Sequence, residues 1–377
     1  MNIPFNKPFL SGKETDYIRE AVLSGKISGD GIFTRKCHQF FEARYGFKKT
    51  LLTTSCTDAL EMAAILCDIQ PGDEVIAPSY TFVSTVNAFV LRGAKIVFAD
   101  SERITPNIDV ASIEALITLH TKAIVPVHYA GMACEMDTIL GIAQRHGLFV
   151  VEDAAQAIDS FYKGRPLGSL GTFGTFSFHE TKNIISGEGG MLTINDERFT
   201  ARAEIIREKG TNRSAFFRGE VDKYGWVDIG SSFLPSDIIA AFLYAQLEHL
   251  ETIQKRRLQI WNLYQERLEP LEEKGLLKLP VIPPDATNNA HMFYIVCQSL
   301  DERTGLIEHL KKHGVMAVFH YLSLHSSPYY QHLHDGRALP QADHFTDCLL
   351  RLPLYYELTE NAVQRITDLI YGYFGRN

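Results

Sequence analysis

None of the six cysteines (Cys37, Cys56, Cys67, Cys134, Cys297 and Cys348) stands at C-x-x-C spacing from another. That argues against a zinc site or a disulfide framework, so small buried thiols are expected and no metal site is. No apolar run approaches the roughly 20 residues that a membrane span needs. The opening MNIPFNKPFLSGKE has no apolar core of the signal-peptide kind, and a cytoplasmic location is the expectation. Positive charge is in short supply: 37 Lys and Arg face 45 Asp and Glu, a net charge of −8. Such a balance argues against broad binding to nucleic acid or to an anionic membrane, while leaving room for a local basic pocket. Also missing are the phosphate loop G-x-x-x-x-G-K-[ST], the zinc motif H-E-x-x-H and the nucleophile elbow G-x-S-x-G. There is no internal repeat, low-complexity tract or flexible linker.

What remains is an ordinary globular composition, 45% hydrophobic and 22% charged, in 377 residues. That length suits two domains packed as one unit. Ser11 and Glu14 have capping-box spacing before a helix ending near Gly25, and TRKCHQFFEARYG predicts a second helix ending at Gly46. Short apolar stretches then follow at 94–100, 122–128 and 148–152, with helical segments at 57–68, 81–92 and 136–146. Continuous apolar strands separated by helices predict an α/β domain with a mostly parallel sheet. Ligands of such sheets sit at the carboxyl ends of the strands, which directs attention to Asp100, His128 and Asp153. An amphipathic stretch over 236–270 is expected to leave this domain. Beyond it, a strand at 293–297, a helix at 303–313, a strand at 315–319 and a helix at 359–374 predict a smaller α+β domain. The division is placed at 1–245 and 246–377.

The chemistry is densest in VVEDAAQAIDS and TFSFHETKNIISGEGG. Asp153 closes an apolar strand, where an ionised carboxylate needs a cation to meet it. The protonated pyridine nitrogen of pyridoxal 5′-phosphate (PLP) is such a cation. Lys182 follows the strand TFSF and precedes a glycine-rich turn, in reach of an aldehyde with which it would form an imine. Ser177 offers a hydroxyl to a phosphate, and TTSCTDALEMAAIL enters a helix near Thr57 whose free N–H groups suit an anion. Phe82 could stack on the pyridine ring. Each element alone reads more often as a cap, a core aromatic or a solvated charge. Together they supply a phosphate cradle, a ring platform, a pyridinium partner and a lysine.

From SGKISGDGIF through PGDEVIAPSYTFVST, VPVHYAG, VEDAAQA, FSFHETKN, GEGG and HMFYI to FHYLSLHSSP, the chain resembles the DegT/DnrJ/EryC1/StrS family of sugar-nucleotide aminotransferases. The resemblance implies the type I fold of PLP-dependent transferases (aspartate aminotransferase-like), a large mostly parallel-sheet domain with a smaller C-terminal α+β domain. It implies Lys182 as the Schiff-base lysine, Asp153 on the pyridinium nitrogen, Gln156 near the phenolic oxygen and Phe82 on the ring. Thr57, the backbone of Asp58, and Ser177 would bind the phosphate. His320 matches a histidine near the family's sugar site, though a core or surface histidine is as fair a reading, and His325 is a further sugar-site candidate. Homodimers with shared active sites are implied. Arg213, Arg218 and Lys223, in the basic and aromatic stretch 207–226, would then reach a partner's substrate or form a solvated loop. One departure stands out: Leu234 occupies the place where many members carry an Asn that reaches the partner's cofactor phosphate, leaving Ser231, Ser232 or main chain for that contact.

The segments SCT-x-x-LEMAA, FSFHETKN, REKGTNR and DIGSS are most similar to the family's branch that forms dTDP-4-amino-4,6-dideoxygalactose for enterobacterial common antigen. By this resemblance L-glutamate donates the amine, leaving 2-oxoglutarate and the aminated cofactor PMP, and a dTDP-linked 4-keto-6-deoxy sugar accepts it. A 3-keto-sugar enzyme, a 4-aminotransferase giving the gluco epimer and a catalytically silent homologue stay open as alternatives.

Overall fold

The apolar runs assemble into one seven-stranded sheet. In the computed structural model, which describes residues 2–375, the strands are β1 (Lys49–Thr53), β2 (Glu74–Pro78), β3 (Lys95–Ala99), β4 (Thr121–Ile124), β5 (Phe149–Asp153), β8 (Phe173–Ser177) and β9 (Gly190–Ile194). A small hairpin, β6 (Phe161–Tyr162) and β7 (Arg165–Pro166), lies between β5 and β8. The order across the sheet is β1-β9-β8-β5-β4-β2-β3. β9 runs antiparallel to both neighbours and the other ladders are parallel. Every residue of β2 and β9 is buried, because helices cover both faces and no polar alternation is required.

The N-terminal helices pack against this sheet through a polar joint. Asp237 is fully buried and accepts from Phe33 N (3.2 Å), Thr34 N (2.9 Å) and Thr34 Oγ1 (2.7 Å), capping helix Ile32–Tyr45 from a distant part of the chain. Gly31 permits the approach, since a Cβ there would lie 2.3 Å from the Asp237 carboxyl carbon. That helix ends, as expected, with Gly46 in the left-handed region (φ 67°). The expected capping box at Ser11 forms only by half. Glu14 takes the N–H groups of Ser11 (2.7 Å) and Gly12 (2.9 Å), but helix Glu14–Leu23 is preceded by Lys13 with no side-chain cap.

The 236–270 stretch is two helices, Asp237–Leu247 and Leu250–Glu273, broken at Glu248–His249. The first packs on the N-terminal helices. The second begins in the core of the large sheet at Leu250 and Ile253, then continues into a separate core with Ile260, Trp261 and Tyr264. That core belongs to a three-stranded antiparallel sheet of β10 (Phe293–Val296), β11 (Val318–Phe319) and β12 (Leu349–Leu352), ordered β10-β12-β11. Helices Leu300–Lys312 and Glu360–Phe374 pack on it. No described helix is long and apolar enough to cross a membrane.

Candidate active site

A cavity of about 1220 Å³ opens where β5 and β8 end, between the large sheet and the loop that follows β11. Asp153 and Ser177, the last residues of β5 and β8, both line it. Asp153 is nearly buried; its Oδ2 accepts from Thr85 Oγ1 (2.7 Å) and its Oδ1 from Ala155 N (3.1 Å). Thr85 is in turn bonded to Thr81 Oγ1 (2.8 Å), so two hydroxyls from the loop and helix after β2 fix the carboxylate. The other strand-end residues serve the fold. Asp100 caps helix Pro340–Cys348 by accepting from Gln341 N and Ala342 N. His128 pairs with buried Glu152 (3.0 Å), which also takes the N–H groups of Gly168, Leu170 and Gly171. The glycine-rich GSLGTFG is therefore a turn pinned to β5.

Lys182 lies on the turn after β8, half-buried, its N–H donating to His179 O (2.9 Å). Its Nζ has no hydrogen bond or ion pair among the described residues. Burial lowers the ammonium pKa to about 8; Cys56 and Asp153 oppose the shift, and the Arg351 charge adds to it. Next to it, Asn183 donates to Gln254 Oε1 (2.8 Å) and Asn289 O (2.7 Å) and turns its Oδ1 to His291 Nδ1 (2.9 Å), which anchors the turn. A lowered pKa leaves more free amine at neutral pH. In cofactor-free protein, the rate of PLP attachment should rise with pH and level off above about 8. A rate still climbing towards pH 10 would contradict the desolvated environment.

The helix start expected to hold a phosphate is Cys56–Leu66, with Ser55 as its N-cap. Ser55 Oγ accepts from Asp58 N (3.1 Å), and the Asp58 carboxylate accepts from Thr54 Oγ1. Asp58 does not line the cavity, so its N–H, expected at the phosphate, is spent on the cap. The N–H groups of Cys56 and Thr57, in the helix's first turn, stay unpaired among the described residues and are available instead. Thr57 Oγ1 donates to Ser84 Oγ (2.8 Å), and Ser177 Oγ accepts from His179 N (3.3 Å); all three hydroxyl residues line the cavity. Gly190 of β9 lies beneath this cradle, where a Cβ would come within 2.3 Å of the Ser55 backbone. Leu234 packs on Gly29, while Ser231 and Ser232 are exposed.

Phe82 lines the cavity with 55% of its surface exposed, its ring 6.1 Å from that of Tyr321. Gln156 Oε1 accepts from Ala130 N (2.6 Å), which leaves its Nε2 as the donor, here to Tyr321 OH (3.0 Å). His320 also lines the cavity, stacked on Tyr321 and bonded to Tyr129 OH (2.8 Å); burial, then Arg351 and Lys182, push its pKa well down. His325 turns away from the cavity to Ser79 Oγ (2.8 Å) and Asp343 (3.6 Å), tying the loop to β2. Arg213, Arg218 and Lys223 do not line their own chain's cavity. Arg218 is paired with Glu204 and Glu220, Arg213 loosely with Glu208 at 3.8 Å, and Lys223 is exposed. Thr85, Tyr321, His291 and Arg351 were not singled out as site residues: the first three lie within the quoted segments PGDEVIAPSYTFVST, FHYLSLHSSP and HMFYI, but nothing in those segments gives them a role, and Arg351 lies in none of them.

These residues fit PLP. Free helix N–H groups and hydroxyls offer themselves to its phosphate, an exposed aromatic face to its ring, a held carboxylate to its ring nitrogen and a desolvated amine to its aldehyde. Fold and cavity together define a PLP-dependent aminotransferase of fold type I. The model of the DegT/DnrJ/EryC1/StrS aminotransferase family matches residues 9–371, and the chain belongs to that family. It is 34% identical over 380 residues to the spore coat polysaccharide biosynthesis protein SpsC of Bacillus subtilis (strain 168), covering 98% of this chain and 96% of that protein. Among solved structures it resembles the aminotransferase TlmJ from Streptoalloteichus hindustanus, with a TM-score of 0.92, 27% identity and full coverage of both chains. The PLP form of Spr1654 from Streptococcus pneumoniae matches with a TM-score of 0.91 at 26% identity, covering 100% of this chain and 99% of that one.

Proposed function

We propose that this enzyme moves the amino group of L-glutamate to C4 of dTDP-4-keto-6-deoxy-D-glucose, giving dTDP-4-amino-4,6-dideoxy-D-galactose for a surface polysaccharide of the enterobacterial common antigen type. The observation that carries the aminotransferase part is Lys182, a desolvated amine with a pKa near 8, in the same cavity as the buried Asp153 carboxylate. The choice of a nucleotide sugar is supported by the cavity of about 1220 Å³, roomy for a cofactor and a large acceptor, and by similarity to a polysaccharide biosynthesis protein.

When bound, PLP supplies an aldehyde for amines and a ring that draws electrons from the adjacent carbon. The chain's residues do the rest. Asp153, held by Thr85 and Ala155 N, keeps a negative charge fixed towards the ring nitrogen. Cys56 N, Thr57 and Ser177 would hold the phosphate, Phe82 would cover the ring, and Gln156 Nε2, here donating to Tyr321 OH, would be the donor for the phenolic oxygen. Lys182 Nζ takes a proton from the donor's Cα and later returns one to C4 of the sugar; a pKa near 8 lets it do both near neutral pH. His320, kept neutral, faces the acceptor. The protein acts as a homodimer, with residues 1–245 and 246–377 as its two domains. The stretch 207–226, carrying Arg213, Arg218 and Lys223, reaches the partner's nucleotide; exposed Phe217 and Trp226 on it are in keeping with a covered surface.

A transamination assay across nucleotide-linked 3-keto and 4-keto sugars tests the acceptor. The expected result is amination of dTDP-4-keto-6-deoxy-D-glucose to a product whose NMR couplings report an axial C4 amine. An equatorial amine or exclusive use of a 3-keto sugar would move the enzyme to another branch of the family.

A further inference from the structure

The geometry points to a second binding site, outside the cavity of Lys182, that takes a small phosphate-bearing anion. It is a pocket of about 400 Å³ where the edge of the large sheet meets the small one, and none of its lining residues lines the cavity. Arg103 enters it from the turn after β3, the edge strand. Lys278, Gln298, Gln341 and His344 enter from the small-sheet side, over a floor made by the end of β10.

The backbone that carries these side chains is held in place. The turn after β3 is closed by Glu102 N donating to Asn107 O (2.8 Å) and Ser101 Oγ to Pro106 O (3.2 Å), and it presents Arg103 to solvent. Asp100, at its base, caps helix Pro340–Cys348 and so brings Gln341 and His344 to the same place. Lys278 is fixed opposite Val296 by two reciprocal backbone bonds of 2.9 Å.

The side chains themselves lack partners. Arg103, Lys278 and His344 make no side-chain hydrogen bond or ion pair among the described residues. Acidic residues outnumber basic ones in this chain, and exposed cations elsewhere find carboxylates: Arg145 meets Glu114 (2.9 Å), Lys163 meets Asp137 (2.7 Å) and Arg337 meets Asp335 (2.8 Å). Around the pocket the carboxylates are turned elsewhere. Glu102 takes Thr105 Oγ1 (2.6 Å), Glu302 takes Gln298 N (3.4 Å), Asp343 faces His325 (3.6 Å), and neither these nor Asp347 lines the pocket.

A forked guanidinium beside a point-charge ammonium suits a doubly charged phosphate better than a singly charged carboxylate. The two amides and the β10 floor leave space for an organic body, and the volume is that of a small-molecule site. The bound anion joins Arg103 of the large sheet's edge to Lys278 and His344 of the small one, clamping the seam. Helix Pro340–Cys348 also carries Thr346, which accepts from Ser323 N (3.0 Å) in the loop that lines the cavity, so an occupant bears on the active-site wall.

Calorimetry of the PLP-loaded protein with inorganic diphosphate tests the site, with acetate as the singly charged control. One diphosphate should bind per chain and raise the melting temperature, and acetate should do neither. The double variant Arg103→Gln, Lys278→Gln should bind diphosphate about 10²-fold more weakly, the size expected for lost charge-assisted contacts. Its melting temperature and transamination rate without diphosphate should match wild type, which separates the site from the fold and the chemistry. Arg218→Gln should bind diphosphate as wild type does. Absence of binding at millimolar diphosphate, equal affinity for acetate, or unchanged affinity in the double variant would overturn the assignment. So would loss of binding in Arg218→Gln, which would place the diphosphate where the substrate's nucleotide lies.

Discussion

Lys182→Ala should fold normally and fail to turn over. Lys182 Nζ has no hydrogen bond or ion pair among the described residues, so its loss breaks no polar contact and relieves a desolvated charge. Melting temperature and circular dichroism should match wild type. Loss of the proton carrier alone costs about 10²–10⁴-fold, and loss of the imine partner adds to this, so steady-state activity should fall below detection. A purified variant with more than a few per cent of wild-type turnover would remove Lys182 from the chemistry.

Asp153→Asn should separate binding from rate. Asn can keep both local contacts: its Oδ1 accepts from Ala155 N, and the Thr85 hydroxyl can reverse to accept from Nδ2. The cavity should therefore retain its shape and its cofactor. What is lost is the fixed negative charge, and removal of one preorganised electrostatic group of this kind costs on the order of 10²–10³-fold in kcat. Single-turnover reaction with L-glutamate measures it directly. A wild-type rate in the variant would show that Asp153 is a structural acceptor for Thr85 and nothing more.

Much of the fold was legible because the apolar runs, though short, are continuous and are separated by helical segments. Helix Met136–His146 falls on the expected 136–146, and β5 lies within one residue of the stretch read at 148–152. β12 escaped notice because LLRL is four residues long and interrupted by an arginine, which gives no periodicity. The break at Glu248–His249 has no Gly or Pro to announce it. Within the site, Asp153, Lys182, Ser177 and Thr57 stand close to recognisable segments and converge on one cavity. The Asp58 N–H, expected at a phosphate, is bonded to the Ser55 cap, a pairing that the spacing of Ser55 and Asp58 already allows. His325 could not be resolved from its neighbours in sequence, since Ser79 and Asp343, which hold it, are remote in the chain. Arg351 is invisible for the same reason: an unpaired charge is recognised only when everything around it is known.

The most direct test of the central claim is the visible absorption spectrum of the purified protein during the two half-reactions. PLP-loaded wild type should lose its yellow colour on addition of L-glutamate, releasing one 2-oxoglutarate per site, and regain it on addition of a nucleotide-linked keto sugar. Lys182→Ala should show no return of free, turnover-competent cofactor under the same additions. A wild-type spectrum unmoved by L-glutamate, with no 2-oxoglutarate formed, would contradict the account.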